Sequence, residues 1–349
     1  MKFSVENLLT KNFFNAKLKL KLEDKMTKSK RIVTIIVASL FSFLSIFMLF
    51  WYFGGSYNAF FDRTTKEFSI QGLSEGFTPQ GITYDSGSRY FLTCGYMKDG
   101  SASRIYVTKN NRNVKYFTLK LNDEDYTGHA GGITTNGKNV WISGESKVFR
   151  FNFDDIISVE NKGVISIVDF FETKNGADFI TTDGEFLWVG EFHREGNYTT
   201  DTTHHFFTSN GKTNKALSFK YAINENSPGG INSLTPVSAL STKSLVQGMA
   251  IVNDKLVLST SYSLADSHLY VYNNITNNPT EKRFKYDDDT NIPLYILEDD
   301  DMIEDIVAPC MSEEIVYARN KVYVLFESAC KKYGAFTRNP LRNVYSFQI

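Results

Sequence analysis

A chain of 349 residues, 42% hydrophobic and 22% charged, holds enough apolar material for one large domain or two ordinary ones. A formal net charge of −1, with lysines clustered only near the N-terminus, argues against a nucleic-acid partner, which would call for a basic surface. Aromatic residues make up 15% of the chain, which suits pleated β-surfaces better than helices.

Residues 1–31 carry nine Lys or Arg against three Asp or Glu and read as a cytoplasmic basic tail. Residues 32–53, IVTIIVASLFSFLSIFMLFWYF, form an uncharged run of 22. As a helix it would reach roughly 30 Å, the thickness of a bilayer core. The basic flank places the N-terminus in the cytosol and the C-terminal bulk outside, with Trp51 and Tyr52 at the level of an interfacial aromatic belt. A cleaved signal peptide has a shorter apolar core and a small-residue cleavage site, and the flank GGSYNAFFDR offers no A-x-A match. The expected layout is a single-pass signal anchor, a linker over 54–65 and an extracytoplasmic domain over 66–349, secreted only if the helix is cleaved.

The stretch GGITTNGKNVWISGE, 131–145, sets the pattern for that domain: apolar strand, polar turn, apolar strand. Four other segments share it, beginning at Gln80, Asp178, Gln247 and Glu313, with Ile or Met at the aligned positions Ile82, Ile133, Ile180, Met249 and Ile315. Third strands follow several of them, as in RIYVT from Arg104 and HLYVYN from His268. Repeated strand–turn–strand–strand units predict an all-β β-propeller. The aligned positions lie 51, 47, 69 and 66 residues apart. A blade takes about 40–50 residues, so the longer intervals hold a blade plus an insertion. That predicts five blades, with six as the alternative. KEFSIQGL from Lys66 and the terminal NVYSFQI are expected to pair in one blade and close the ring.

In a propeller the starts of first strands and the ends of second strands surround one mouth. The starts supply Gln80, Asp178, Gln247 and Glu313 with Glu314, and His129 lies just ahead of the aligned Gly131. Ends of second strands supply Tyr96, Glu145, Glu191 with His193, Tyr262 and Glu327. Gln80, Glu145, Glu191, His193, Gln247 and Glu327 are the expected ligand-binding set. Converging oxygen ligands suit calcium or another divalent ion, with Asp178 and Glu313 as its ligands and His129 as a general base. An acidic stretch, DDDTNIPLYILE at 287–298, has partial EF-hand spacing but lacks the glycine at its sixth position and reads as a solvated loop. The insertion 193–214, which holds His193, His204 and His205, is placed over the mouth as a lid. Cys310 and Cys330 flank the last hairpin at similar distances from its turn, which predicts a disulfide in an oxidising compartment and leaves Cys94 free. No GxSxG, Walker, HExxH or paired CxxC motif occurs.

The motifs PQGITYD (79–85), GHAGGITT (128–135), QGMAI (247–251) and VYVLFESAC (322–330) resemble the broad propeller superfamily of strictosidine synthase-like, gluconolactonase/regucalcin-like, paraoxonase-like and NHL-type proteins. The resemblance implies a propeller over 66–349. For the metal-dependent lactonases of that group it implies a channel ion held by Glu, Asn and Asp ligands, with Asp178 and Glu313 at comparable blade starts. Two functions follow as expectations. One is a membrane-anchored propeller that binds a small molecule or cell-surface partner through its mouth and top loops. The other is a divalent-metal-dependent hydrolase or lactonase acting on small esters.

Overall fold

The computed structural model describes residues 5–53 and 57–349; Gly54–Ser56 and the side chains of Trp51 and Tyr52 lie outside the described residues. One helix runs from Val5–Phe53, and its stretch Thr27–Leu49 is long and apolar enough to cross a membrane. Side chains such as Phe41 and Phe43 on that stretch are exposed, as a helix solvated by lipid requires. This helix and the body Gly55–Ile349 are separate compact units.

The body is a five-bladed propeller. Blade 1 comprises strands Phe77–Asp85, Tyr90–Met97, Arg104–Lys109 and Arg112–Leu121. Blade 2 comprises Gly132–Thr135, Asn139–Gly144, Lys147–Asn152 and Asp169–Glu172. Blade 3 comprises Phe179–Thr182, Phe186–Gly190, Ala216–Ala222 and Ser238–Thr242. Blade 4 comprises Val246–Val252, Lys255–Thr260, Ser267–Asn273 and Met302–Ala308. Blade 5 takes Ser312–Ala318, Lys321–Phe326 and Asn343–Phe347, and its outer strand is Thr65–Ser69 from the other end of the domain. Thr65 pairs with Ser346, so the expected joining of the two ends closes the ring. The first strands of neighbouring blades pack side by side around one axis.

The repeat makes this ring because each second strand faces two cores at once. Val140 joins the cluster between blades 1 and 2, and the next residue, Trp141, joins the one between blades 2 and 3. Leu187 and Trp188, then Leu256 and Val257, alternate in the same way. Side chains point to opposite faces with period two, and here both faces are buried. That is why these strands read as continuous apolar runs and not as alternating ones. Tight turns join first and second strands, with Gly137 and Gly184 at φ +87° and +96°, a region closed to most side chains.

The residues beyond a minimal blade do not form a sixth. Gly163–Ser166 adds to the outside of blade 1 in parallel, and Asn291–Ile296 adds to the outside of blade 3. The second of these lies in the 287–298 stretch, so part of that expected loop is a strand. The expected linker 54–65 includes a helix, Asn58–Arg63, docked on the propeller. Phe60 is fully buried against Phe326 and Tyr345, and Tyr57 donates its hydroxyl to Asp266 at 2.5 Å.

The expected disulfide is not formed: all three cysteines are free and buried. The hairpin pairs Ser312 with Phe326, but beyond it the chain turns, Cys330 N–H donating to Glu327 O, and the two strands part. Cys330 packs with Phe68, Ile70 and Leu73, whereas Cys310 lies beside Arg338, to whose carbonyl its thiol donates at 3.6 Å. Facing positions on a hairpin bring two sulfurs together only while the ladder continues.

Candidate functional site

A cavity of about 760 Å³ opens at one end of the axis, and every blade lines it with one residue from each of two strands. Starts of first strands contribute Gln80, Gly131, Asp178, Gln247 and Glu313. Tyr96, Glu145, Phe192, Tyr262 and Glu327 come from the ends of second strands. Seven of the nine site residues expected from the sequence therefore lie around one space: Gln80, His129, Glu145, Asp178, Gln247, Glu313 and Glu327.

Along one wall the polar groups form a chain. His129 Nε2–H donates to Gln80 Oε1 at 2.5 Å, and Gln80 Nε2–H donates to Glu327 Oε2 at 2.9 Å. The Glu313 carboxyl in turn donates to Glu327. Burial, and then the Glu327 charge, push Glu313 well above the usual carboxyl range. Burial likewise raises Glu327 to about 7, against the pull of the Lys332 ammonium and of Gln80. The pair thus holds one proton above about pH 7 and takes up a second below it. His129 stacks on Tyr96 with ring centroids 4.7 Å apart. The protein packed around it, and then the Lys332 charge, push His129 down to about 4, although cavity water reaches the ring. It is a neutral group here, unsuited to carrying a proton at pH 7.

Asp178 stands apart from that chain and accepts from Phe192 N–H at 2.7 Å. Its place deep in the ring raises it to about 6, with the Phe192 amide opposing and the Glu191 charge adding to the rise. Solvent in the cavity reaches this carboxyl and screens the effect. Among the described residues no group of three or more His, Cys, Asp or Glu is placed to hold a metal ion. Asp178 and Glu313 both line the cavity.

Glu191 and His193 do not line the cavity. Glu191 Oε1 accepts from Leu217 N–H at 2.8 Å and from His204 Nδ1–H at 2.9 Å. His193 is fixed by Thr200, through Nδ1 at 2.9 Å, and its ring edge meets His205. His204 thus ties the insertion to Glu191 at the end of a blade 3 strand, and His193 and His205 meet at Thr200 within it. The insertion does reach the mouth, through Tyr198, whose ring packs edge-on against Phe192 at 5.7 Å.

Three features lay outside the residues expected to bind ligand or metal or to act as base. Tyr333 and Phe336 come from the irregular segment after blade 5's second strand, which has no repeat register to place it. Lys332 donates to the Tyr96 hydroxyl at 2.6 Å and Arg194 lies 4.0 Å over the Tyr262 ring, so two cations back the aromatic rim from outside.

The third is Glu314, 1% exposed, at the centre of the ring. Its Oε2 accepts from Ile82 N–H at 2.8 Å and Ile133 N–H at 2.9 Å, and Oε1 from Ile180 N–H at 3.2 Å. One carboxyl therefore binds three blades from a fourth. Burial pushes it well above the ordinary range against the pull of those three amides. Residues two positions before those amides line the cavity just described, so Glu314 forms the layer beneath its floor.

No protein-family model matches the chain, and no curated protein does. The chain is a β-propeller. Among solved structures it is similar to hydrazine synthase of Kuenenia stuttgartiensis, at 10% identity and TM-score 0.39 over 78% of this chain and 83% of that one. BamB from Moraxella catarrhalis is similar at 9% identity and TM-score 0.32, over 78% of this chain and 85% of that one. A tail fiber of Staphylococcus aureus phage P68 is similar at 10% identity and TM-score 0.40, over 82% of this chain and 52% of that one. Propellers host many unrelated activities, so the fold carries no role with it. The narrower resemblance to strictosidine synthase-like, lactonase-like and NHL-type proteins finds no matching family model.

Proposed function

We propose that this protein is a membrane-anchored recognition propeller, displayed outside the cytosol, whose axial cavity binds a small organic cation. One observation carries the reading: among the described residues the cavity lining includes four carboxyl groups, Glu145, Asp178, Glu313 and Glu327, and no Lys or Arg. The rings of Tyr96, Phe192, Tyr198 and Tyr262 complete the wall. Aromatic faces and carboxylates together suit an ammonium group with an apolar body. The volume falls in the range of small-molecule sites. The Thr27–Leu49 helix supports anchoring, and the basic residues before it support an inside N-terminus. The hydrolase reading has less support, because Asp178 and Glu313 belong to no metal-ligating group among the described residues and His129, pushed down to about 4, is a weak base.

Calorimetry on the full chain in nanodiscs tests the proposal, with choline and its neutral carbon isostere dimethylbutanol as probes. Choline is expected to bind and the isostere to bind at least tenfold more weakly, with choline affinity lost in Glu327→Gln. Equal affinity for the two, or binding of neither, would sink it.

A further inference from the structure

At the opposite end of the axis lies a second cavity, of about 440 Å³. Its wall is written in the same repeat register. Thr83, Thr134 and Thr181 directly follow the three isoleucines whose amides hold Glu314, and all three line it. Glu314 thus marks the layer between the two cavities. Neighbouring Thr135 and Thr182 spend their hydroxyls on the hairpin turns, donating to Asn139 O and Phe186 O. The hydroxyls of Thr83, Thr134 and Thr181 make no hydrogen bond among the described residues.

Blade 3 extends this ring outward as a row. Thr181 pairs with Trp188, and Trp188 with Lys220, so all three side chains share one face of the sheet. Trp188 is 1% exposed, yet its Nε1–H has no acceptor among the described residues. A buried donor without a partner calls for an explanation, and a ligand oxygen is one. The Lys220 ammonium lies 3.9 Å over the Phe186 ring and makes no hydrogen bond among the described residues. Across the space, blade 4 supplies the side chains of Asn253 and Asn277.

The charge of the site is balanced. Asp183 and Glu185 both act on Lys220, and Asp183 also lines the cavity while its Oδ1 caps its own turn. That balance disfavours a fully charged anion. Hydroxyls, amides, an indole N–H, one ammonium and one carboxylate instead form a mixed set of donors and acceptors. Such a set matches groups that both donate and accept. We propose that this lower cavity is a second binding site, which takes the hydroxyl groups of a neutral saccharide unit.

The indole proton gives a local readout. In the full chain in nanodiscs, Trp141 Nε1–H is already bonded to Gly229 O at 2.8 Å and serves as an internal control. Nitrogen-15 spectra of the indole groups, with the Trp188 resonance assigned by its loss in Trp188→Phe, are recorded during titration with glucose, N-acetylglucosamine and inorganic phosphate. A saturable shift of the Trp188 resonance with either sugar is expected while Trp141 stays still. In Thr134→Val/Thr181→Val the apparent affinity should fall tenfold or more, with the Trp141 resonance again reporting an intact fold. Three outcomes would overturn the proposal: a shift with phosphate alone, no shift with any of the three probes, or sugar binding that the threonine substitutions leave unchanged.

Discussion

Replacing Glu314 with alanine would strip the acceptor from three buried amides, those of Ile82, Ile133 and Ile180. A buried N–H left unpaired costs about 1–3 kcal/mol, and loss of the side chain adds a cavity term. Against this, the variant no longer buries a carboxyl, which recovers part of the loss. The expected net destabilisation is about 3–5 kcal/mol, a large share of the roughly 5–15 kcal/mol that holds a native domain together.

Gly132→Ala strains the same contact from the other side. A Cβ there would lie 2.4 Å from Glu314 Oε1 and 2.7 Å from Ile180 N, so carboxyl and strand must move apart. Overpacking of this kind costs about 1–3 kcal/mol. In the double variant the shortened side chain no longer opposes the new methyl group, and the contacts with Ile180 N and Ser143 Oγ remain. The two losses should therefore sum to more than the loss in the double variant, by about 1 kcal/mol. Urea unfolding of the full chain in detergent, followed by near-ultraviolet circular dichroism, measures all four corners of the cycle. Amide exchange at Ile82, Ile133 and Ile180 should speed up in Glu314→Ala alone. A Glu314→Ala protein as stable as the wild type, or a strictly additive cycle, would refute the reasoning.

Glu313 is raised above its unfolded value, so above the ordinary glutamate range the native state holds a proton that the unfolded chain has lost, and stability falls as pH rises. Glu313→Gln should melt higher than wild type at pH 8 and equally at pH 4, and the reverse order at pH 8 would contradict the assignment. Because Glu327 titrates at about 7, choline affinity should rise several-fold between about pH 6 and pH 8, as calorimetry at each pH will show, and an affinity unchanged over that range would contradict the assignment. All three cysteines are free, so denatured protein should titrate as three thiols and run identically with and without reductant. A titre of one thiol would restore the disulfide.

The ring itself was legible in the sequence because its determinants are local. A turn such as Asn136–Gly137 fixes each hairpin, and the run that follows it must be apolar on both faces to sit between blades. Five aligned hairpins gave the blade count, and the two strand-like ends gave the closure. The mouth was legible to the same depth, since register alone brings Gln80, Asp178, Gln247 and Glu313 together. Register weakens past the end of a strand, and there the reading failed. Glu191 and His193 follow Gly190, the end of their strand, and turn into the insertion to hold it. Cys330 follows Phe326 into a turn. Residues in such segments are placed by contacts with other loops, which no repeat encodes.

Glu314 was visible in the repeat, at the position before the aligned Ile or Met. There the five blades read Gly81, Gly132, Phe179, Gly248 and Glu314. A Cβ at Gly81 would lie 2.9 Å from Glu314 Oε2, and one at Gly248 would lie 2.6 Å from Glu314 Cα. Three blades thus forgo a side chain at this position so that the fifth can send one across the axis. A pore would need small residues in all five blades. This chain instead spends the cleared space on one carboxyl and three amide bonds, which makes the axis a joint. The cavities above and below it then differ in chemistry, carboxylates and aromatic rings on one side, hydroxyls and amides on the other. Strands that Glu314 ties together supply lining residues to both cavities, Gln80 and Thr83 from blade 1 and Asp178 and Thr181 from blade 3.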